Sequence, residues 1–385
     1  MVTALTLILS WQSLDSVVGD ADGLMRLARA AAPGTTISLR SGEYRGGIWL
    51  SELHGTKAKP IVIRGLDPKN PPKIVGGSSA IHLSEVSHLV LQDLVVQGAK
   101  DNGINVDDGG TYDTPSHHVT IRRVVVSDLP KGNHDGIKLS GVDDLTIDFC
   151  RIERWGGSAI DMVGCHRALV TSCEFVDGGD SGVQCKGGSS DVTVEHSRFY
   201  SFGQRGVNAG GSTGSSFFRP PIASVRAGKR YEAKNVTVQG CVFSGGIAPI
   251  AFVGVDGATF RFNTIDDPER WAFRILQETA SPDFVHCRNG VVEDNLIVFK
   301  SDHWASGGIN IGADTQPETF HFARNFWYCS DRPQNSRPQL PTFEKDGVYG
   351  QDPRLLTSFS VRGDSPAANF GAHAWRRRQP AGPQG

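Results

Sequence analysis

Forty-six glycines among 385 residues, few helix-forming runs and a strand motif that recurs along most of the chain predict an all-β fold. We read it as a single-domain right-handed parallel β-helix, with an N-terminal capping helix and long loops over one face. The repeat is the decisive signal. "HLVLQDLVV" from His88 returns as "HVTIRRVVV" from His118, "DLTIDFCRI" from Asp144, "DVTVEHSRF" from Asp191 and "NVTVQGCVF" from Asn235. One column of it runs Leu94, Val124, Cys150, Cys173, Ser197, Cys241, Asn263, Asn295, Asn325. The shortest steps are 22 to 24 residues, and longer steps hold loops. A second short strand sits in each coil, as in "NGINV", "DGIKL", "SAIDM" and "SGVQC". Parallel strands normally need a helical crossover, but a solenoid reaches the same register by winding each coil onto the last.

The elements follow in order. Residues 1–18 are an N-terminal segment, either a vestigial signal or a first strand. "MVTALTLILSW" is apolar but lacks a basic start and a clear cleavage site, so export, to the periplasm or outside the cell, is expected from a poorly formed signal. "GDADGLMRLARAAAPG", residues 19–34, is an amphipathic helix closed by Pro-Gly that would seal one end of the core. The β-helix occupies 19–330, including that cap. Residues 331–385 read as an irregular segment and a disordered tail, with the arginines of "RRRQPAGPQG" solvated. Stacked columns such as the asparagines at 263, 295 and 325 fit a ladder of like side chains.

Composition removes several function classes. A net charge of −2 gives no global mark of a nucleic-acid binder, and no run reaches the length of a membrane span. Seven cysteines at irregular spacing, without a Cys-x-x-Cys pair, read as buried thiols rather than a disulfide framework or a zinc site.

Side chains alternate along a strand, so in "GIKL" Ile137 and Leu139 point inward and Lys138 outward. Applied to each second strand, this gives an outward column Asn105, Lys138, Asp161, Gln184, Asn208, Ala251, Arg274, Asn310. Asp107, Ser140, Lys186 and Gly210 lie two residues further on. Cation, carboxylate and amide at consecutive coils are an unusual solvent face. Neighbouring loops add His134, Asp135, Arg154, Trp155 and Arg205, and two insertions add Arg219, Arg270 and Trp271 beside Arg274. Exposed tryptophan beside arginine suits a sugar ring bearing acid groups. The expected partner is therefore an acidic polysaccharide or oligosaccharide.

At the N-terminus, "AAPGTTISLRSGEYRGGIWL" followed by "GTKAKPIVIRG" resembles the opening of β-helix polysaccharide lyases of the chondroitinase B and alginate lyase type. The resemblance implies cleavage of a uronate polymer by β-elimination. A base removes the proton at C5 while a cation neutralises the adjacent carboxylate. In that family a lysine just past calcium-binding glutamates is the base, and Lys186 matches it in position. Gly182 and Gln184 stand where the acidic ligands would be, and Asn208 or Gly210 stands near the family's arginine, with Arg205 at the preceding turn as a substitute. Calcium is accordingly not required on this reading; Asp107, Asp135 and Asp161 are the only metal candidates. Gln184 and Asn208 would hold the substrate carboxylate by amide hydrogen bonds, with Arg154 and Arg205 as nearby cations. His134, Asp135 and Lys138 complete the catalytic candidates, and Asp161, Arg154, Trp155, Arg219, Arg270, Trp271 and Arg274 the binding candidates. Two alternatives stay open: a glycoside hydrolase using Asp135 and Asp161, and a non-catalytic glycan-binding β-helix.

Overall fold

The computed structural model describes residues 15–378. Its strands pair in parallel from coil to coil and form ladders along the axis of a β-helix. One coil runs through Val142–Asp148, Arg151–Glu153 and Ser158–Val163; the next repeats it as His166–Thr171, Glu174–Val176 and Ser181–Lys186. Each strand pairs with its equivalent one coil later. The first two ladders fuse where Ser87–Gln97 and Ser116–Ser127 run unbroken through a bend. The third is a separate ten-stranded sheet.

Coils turn sharply at a few left-handed residues instead of long loops. His88, His118, Asp144, Arg167, Asp191, Asn235 and Asn289 hold one corner in successive coils, with φ between 48° and 59°. Asp, Asn and His tolerate this conformation better than most non-glycine residues, and Gly257 takes the same corner at φ 80°.

Inside, like stacks on like. Phe175, Phe199 and Phe243 lie face to face with ring centroids 4.5 and 4.6 Å apart. All seven cysteines are free and buried, and burial pushes the thiols of Cys165, Cys185, Cys241 and Cys287 up to about 12. The polar column is a continuous hydrogen-bonded ladder. Asn295 Oδ1 accepts from the Asn263 backbone N–H at 2.9 Å and from Asn263 Nδ2 at 3.1 Å. Asn295 Nδ2 donates to Phe260 O at 2.9 Å and to Asn325 Oδ1 at 2.8 Å. Glu344 terminates the series, accepting from Asn325 Nδ2 at 2.7 Å and Trp327 Nε1 at 3.0 Å.

Both ends differ in detail from the sequence expectation. The capping helix spans Ala21–Ala28, shorter than 19–34, because the chain must straighten to enter the strand at Thr36. Asp20 caps it, accepting from Gly23 N at 2.6 Å, and Leu24 and Ala28 are buried. Strand Asp15–Val18 precedes it and pairs with Thr36–Leu39, whereas the apolar stretch expected as a signal, residues 1–14, lies outside the described residues. Beyond 330 the coil pattern continues: Glu344–Lys345 and Val348–Tyr349 pair with Phe322–Ala323 and Phe326–Trp327, covering aromatic side chains that the solenoid would otherwise leave open. The arginines expected in a solvated tail belong to a helix, Gly371–Arg378. Its Trp375 stacks on Phe262, and Arg378 lies over the same ring. Residues 379–385 lie outside the described part. Among the described residues no helix is long and apolar enough to cross a membrane.

The ladder supports a first prediction. Asn295→Ala removes the acceptor of the buried Asn263 backbone N–H, the side-chain donor to Phe260 O and one bond each to the Asn263 and Asn325 amides, and each buried polar group left unpaired costs about 1–3 kcal/mol. Urea denaturation should show a loss of roughly 2–4 kcal/mol; a loss below about 0.5 kcal/mol would deny the ladder a structural role.

Candidate functional site

The ten-stranded sheet carries the outward column in unbroken register. Asn105 pairs with Lys138, Lys138 with Asp161, Asp161 with Gln184, Gln184 with Asn208, and the line continues through Ala251 and Arg274 to Asn310. Upstream it extends through His82 to Trp49, which the sequence reading did not include. Parallel pairing one coil at a time brings residues 23 to 43 positions apart in sequence side by side. In the second column Val163 separates Ser140 from Lys186, and Gly210 pairs onward with Val253.

Its centre is a knot of charge. Lys138 Nζ lies 3.3 Å from Asp135 Oδ2 and forms a close ion pair with Asp161 Oδ2. Lys186 Nζ approaches the same Asp161 oxygen at 3.4 Å and Gln184 Oε1 at 3.4 Å. Ser158 ties the group to the sheet, donating its N–H to Asp135 Oδ1 at 2.7 Å and its hydroxyl to Gln184 Oε1 at 3.2 Å. The two aspartate side chains are 3% and 2% exposed, the two lysines 27% and 18%, so the ammonium groups form the outer surface of a buried acidic pair. Burial, reinforced by Asp161, raises the Asp135 carboxyl, with Lys138 pulling the other way. Burial alone would lower Lys138, but Asp161 and Asp135 outweigh it and hold the ammonium charged.

Several polar atoms of this face lack a protein partner although they are buried. They are Asp161 Oδ1, Asn105 Oδ1, both amide atoms of Asn208, and Arg205 Nε. Unsatisfied groups of this kind are uncommon in native interiors, and their gathering on neighbouring coils points to a ligand.

Toward Trp49 the column becomes aromatic and acidic. Trp49 is 56% exposed and tilts over the His82 ring with centroids 3.9 Å apart. His82 Nε2 hydrogen-bonds Asp107 Oδ2, whose other oxygen accepts from Ser84 Oγ at 2.6 Å and Gly109 N at 3.0 Å. Burial would raise Asp107, but these bonds prevail and lower it. Trp49, Asp107, Tyr112 and Phe217 line an open cleft of about 680 Å³.

Other expected site residues are committed elsewhere. Arg154 is held by Asp128 at 2.5 Å and Glu153 at 2.6 Å. Arg205 pairs with Glu278 at 2.6 Å. Neither is placed as a free cation beside Lys186, whose charged neighbour is Asp161. Arg219 grips both oxygens of Asp143, at 2.5 and 3.0 Å, and donates to Gly164 O, so it anchors its insertion. Trp155 and Trp271 are not the exposed platforms expected: they are 3% and 9% exposed, Trp155 edge-on to Phe175 and Trp271 covered by the guanidinium groups of Arg270 and Arg274. Arg274 also donates to Asn310 Oδ1 at 3.1 Å. His134 lies 3.3 Å from Asp101, outside the knot.

Calcium does not fit the three expected aspartates. Asp107 is bound by His82 and Ser84, while the Lys138 ammonium occupies the space between Asp135 and Asp161. Calcium takes six to eight oxygens; among the described residues no three carboxylates converge within ligating reach.

A family model described as a right-handed beta helix region matches residues 79–219. No curated protein sequence matches the chain. Among solved structures, an alginate lyase from Paenibacillus sp. strain FPU-7 is 16% identical with a TM-score of 0.56, covering 78% of this chain and 99% of its own. A mannuronic acid-specific polysaccharide family 6 lyase from human gut microbiota is 15% identical with a TM-score of 0.56, over 86% and 78%. A second family 6 alginate lyase, 14% identical with a TM-score of 0.51, covers 93% of this chain, which spans 56% of that enzyme. With the pairing described above, these likenesses establish the architecture: the chain folds as a right-handed parallel β-helix, as those polysaccharide lyases do.

Proposed function

We propose that this chain is a polysaccharide lyase-like enzyme that binds an acidic, uronate-containing glycan along the outward column and cleaves it by β-elimination, with Lys186 as the base. The observation that carries the reading is the sharing of one buried Asp161 oxygen by Lys138 and Lys186, with the unpartnered amide of Asn208 nearby. The lysines divide the work. Lys138, held between two carboxylates, stays cationic and neutralises the substrate carboxylate, supported by the Gln184 and Asn208 amides. Lys186 has only two longer contacts and is the freer amine. It takes the C5 proton, the electron pair passes into the carboxylate-stabilised enolate, and the C4–O bond breaks as the resulting Lys186 ammonium returns that proton to the leaving oxygen. Trp49 offers an aromatic face for a sugar ring further along the same column. The alginate and mannuronate specificities of the lyases of similar fold make those polymers the first substrates to try.

One observation favours a second reading. A buried carboxyl raised by a neighbouring carboxylate, as Asp135 is, suits a general acid, and Asp161 would then serve as its partner in hydrolysis. Against this, Lys138 fills the gap between them. Products decide: unsaturated uronosyl ends that absorb in the ultraviolet mean elimination, reducing ends without that absorbance mean hydrolysis, and binding with neither means a glycan-binding protein.

Lys186→Ala should lower kcat on the best uronate polymer by about 10²- to 10⁴-fold with the fold retained by circular dichroism. Activity within a few-fold of the parent would remove Lys186 from the base role. Trp49→Ala should raise KM by roughly 5- to 10-fold with little change in kcat, the expected signature of lost stacking away from the reacting bond. Chelator treatment should leave the rate unchanged, because Gly182 and Gln184 stand at the acidic ligand positions and Lys138 already neutralises Asp135 and Asp161.

A further inference from the structure

We propose that His88, His117 and His118 form a binding site for a divalent transition-metal ion of the zinc type. One ring nitrogen from each lies within 4.8 Å of the others, and among the described residues this is the sole such group of three. The β-helix builds the cluster. His88 and His118 occupy the same left-handed corner of consecutive coils, so stacking brings their ring centroids to 4.4 Å. His117 precedes that corner on the next coil and stands edge-on to both rings, at 88° and 81°. Its Nδ1 lies 2.9 Å from Nδ1 of His118.

Three imidazoles this close would repel one another if protonated, and a metal ion replaces those protons with a single shared centre. Zinc takes imidazole nitrogen at about 2.0–2.1 Å in tetrahedral sites. Small side-chain rotations would bring these nitrogens to that spacing. His88 and His117 are half-buried and His118 is exposed, which leaves a remaining coordination position open to water. Asp144 continues the corner one coil further, with Oδ2 3.8 Å from His118 Nδ1, and Arg167 fixes its carboxylate at 2.7 and 2.9 Å. That carboxylate places negative charge at the edge of the site. A bound ion would tie consecutive coils together on a ladder separate from the Lys138–Lys186 knot, so the site is independent of the lyase reading.

The test is zinc titration of the full chain, free of any histidine tag, by calorimetry with equilibrium dialysis for stoichiometry. One Zn²⁺ per chain is expected. His88→Asn and His118→Asn, which keep a residue that tolerates the left-handed corner, should each weaken affinity about tenfold or more. His117→Ala tests the third ligand at an ordinary strand position and should do the same. His286→Ala, an exposed histidine elsewhere, should bind zinc as the parent does. Absence of stoichiometric binding at zinc concentrations up to about 100 μM would overturn the proposal, as would parent-like binding by all three cluster variants.

Discussion

Every feature of this molecule depends on parallel backbone pairing between consecutive coils, which fixes their separation near 4.8 Å. At that spacing a residue one coil later lies directly above its equivalent, so each position becomes a column. The asparagines form a ladder, the phenylalanines a stack, and the left-handed corners a seam along one edge. The outward column is the same effect on the solvent side. It places Trp49 at one end, Arg274 toward the other and Lys138, Asp161 and Lys186 between them, all on strands, with Asp135 in the turn just before Ile137–Ser140.

The knot is costly for a scaffold. Two carboxylates lie nearly out of water, and one Asp161 oxygen lacks any protein partner. Such burial is tolerated where cations compensate, and removing one member would leave an uncompensated charge. Two lysines meet that demand, yet the amide of Asn208 is left wholly unpartnered beside them. A face arranged for stability alone would have satisfied these groups or replaced them. A glycan bearing carboxylates and hydroxyls offers the matching donors and acceptors.

Much of this was legible in the sequence because two simple periods combine. The coil repeat aligned the second strands, and alternation within each strand separated Lys138, Asp161 and Gln184 from their inward neighbours. The two periods give no register where the repeat is irregular. Trp49 and His82 belong to the early coils, before the recurrent motif begins at His88, so the aromatic end of the column went unseen. The prolines after Cys329 hid a further short coil. Residues in insertions could not be placed by residue type: Arg219 meets Asp143 across 76 positions, and Trp155 is buried edge-on to Phe175. Nor does a sequence show that an arginine is already paired, which is how Arg154 and Arg205 came to be expected as free cations.

The most direct test of this account is a crystal structure of the Lys186→Ala variant soaked with an acidic oligosaccharide of several uronate units. The account predicts a chain of sugars lying along the ten-stranded sheet, one carboxylate against Lys138 and the Asn208 amide, and another ring over Trp49. An oligosaccharide bound instead at the corner formed by Arg154 and Trp155, with the Lys138 column bare, would contradict it.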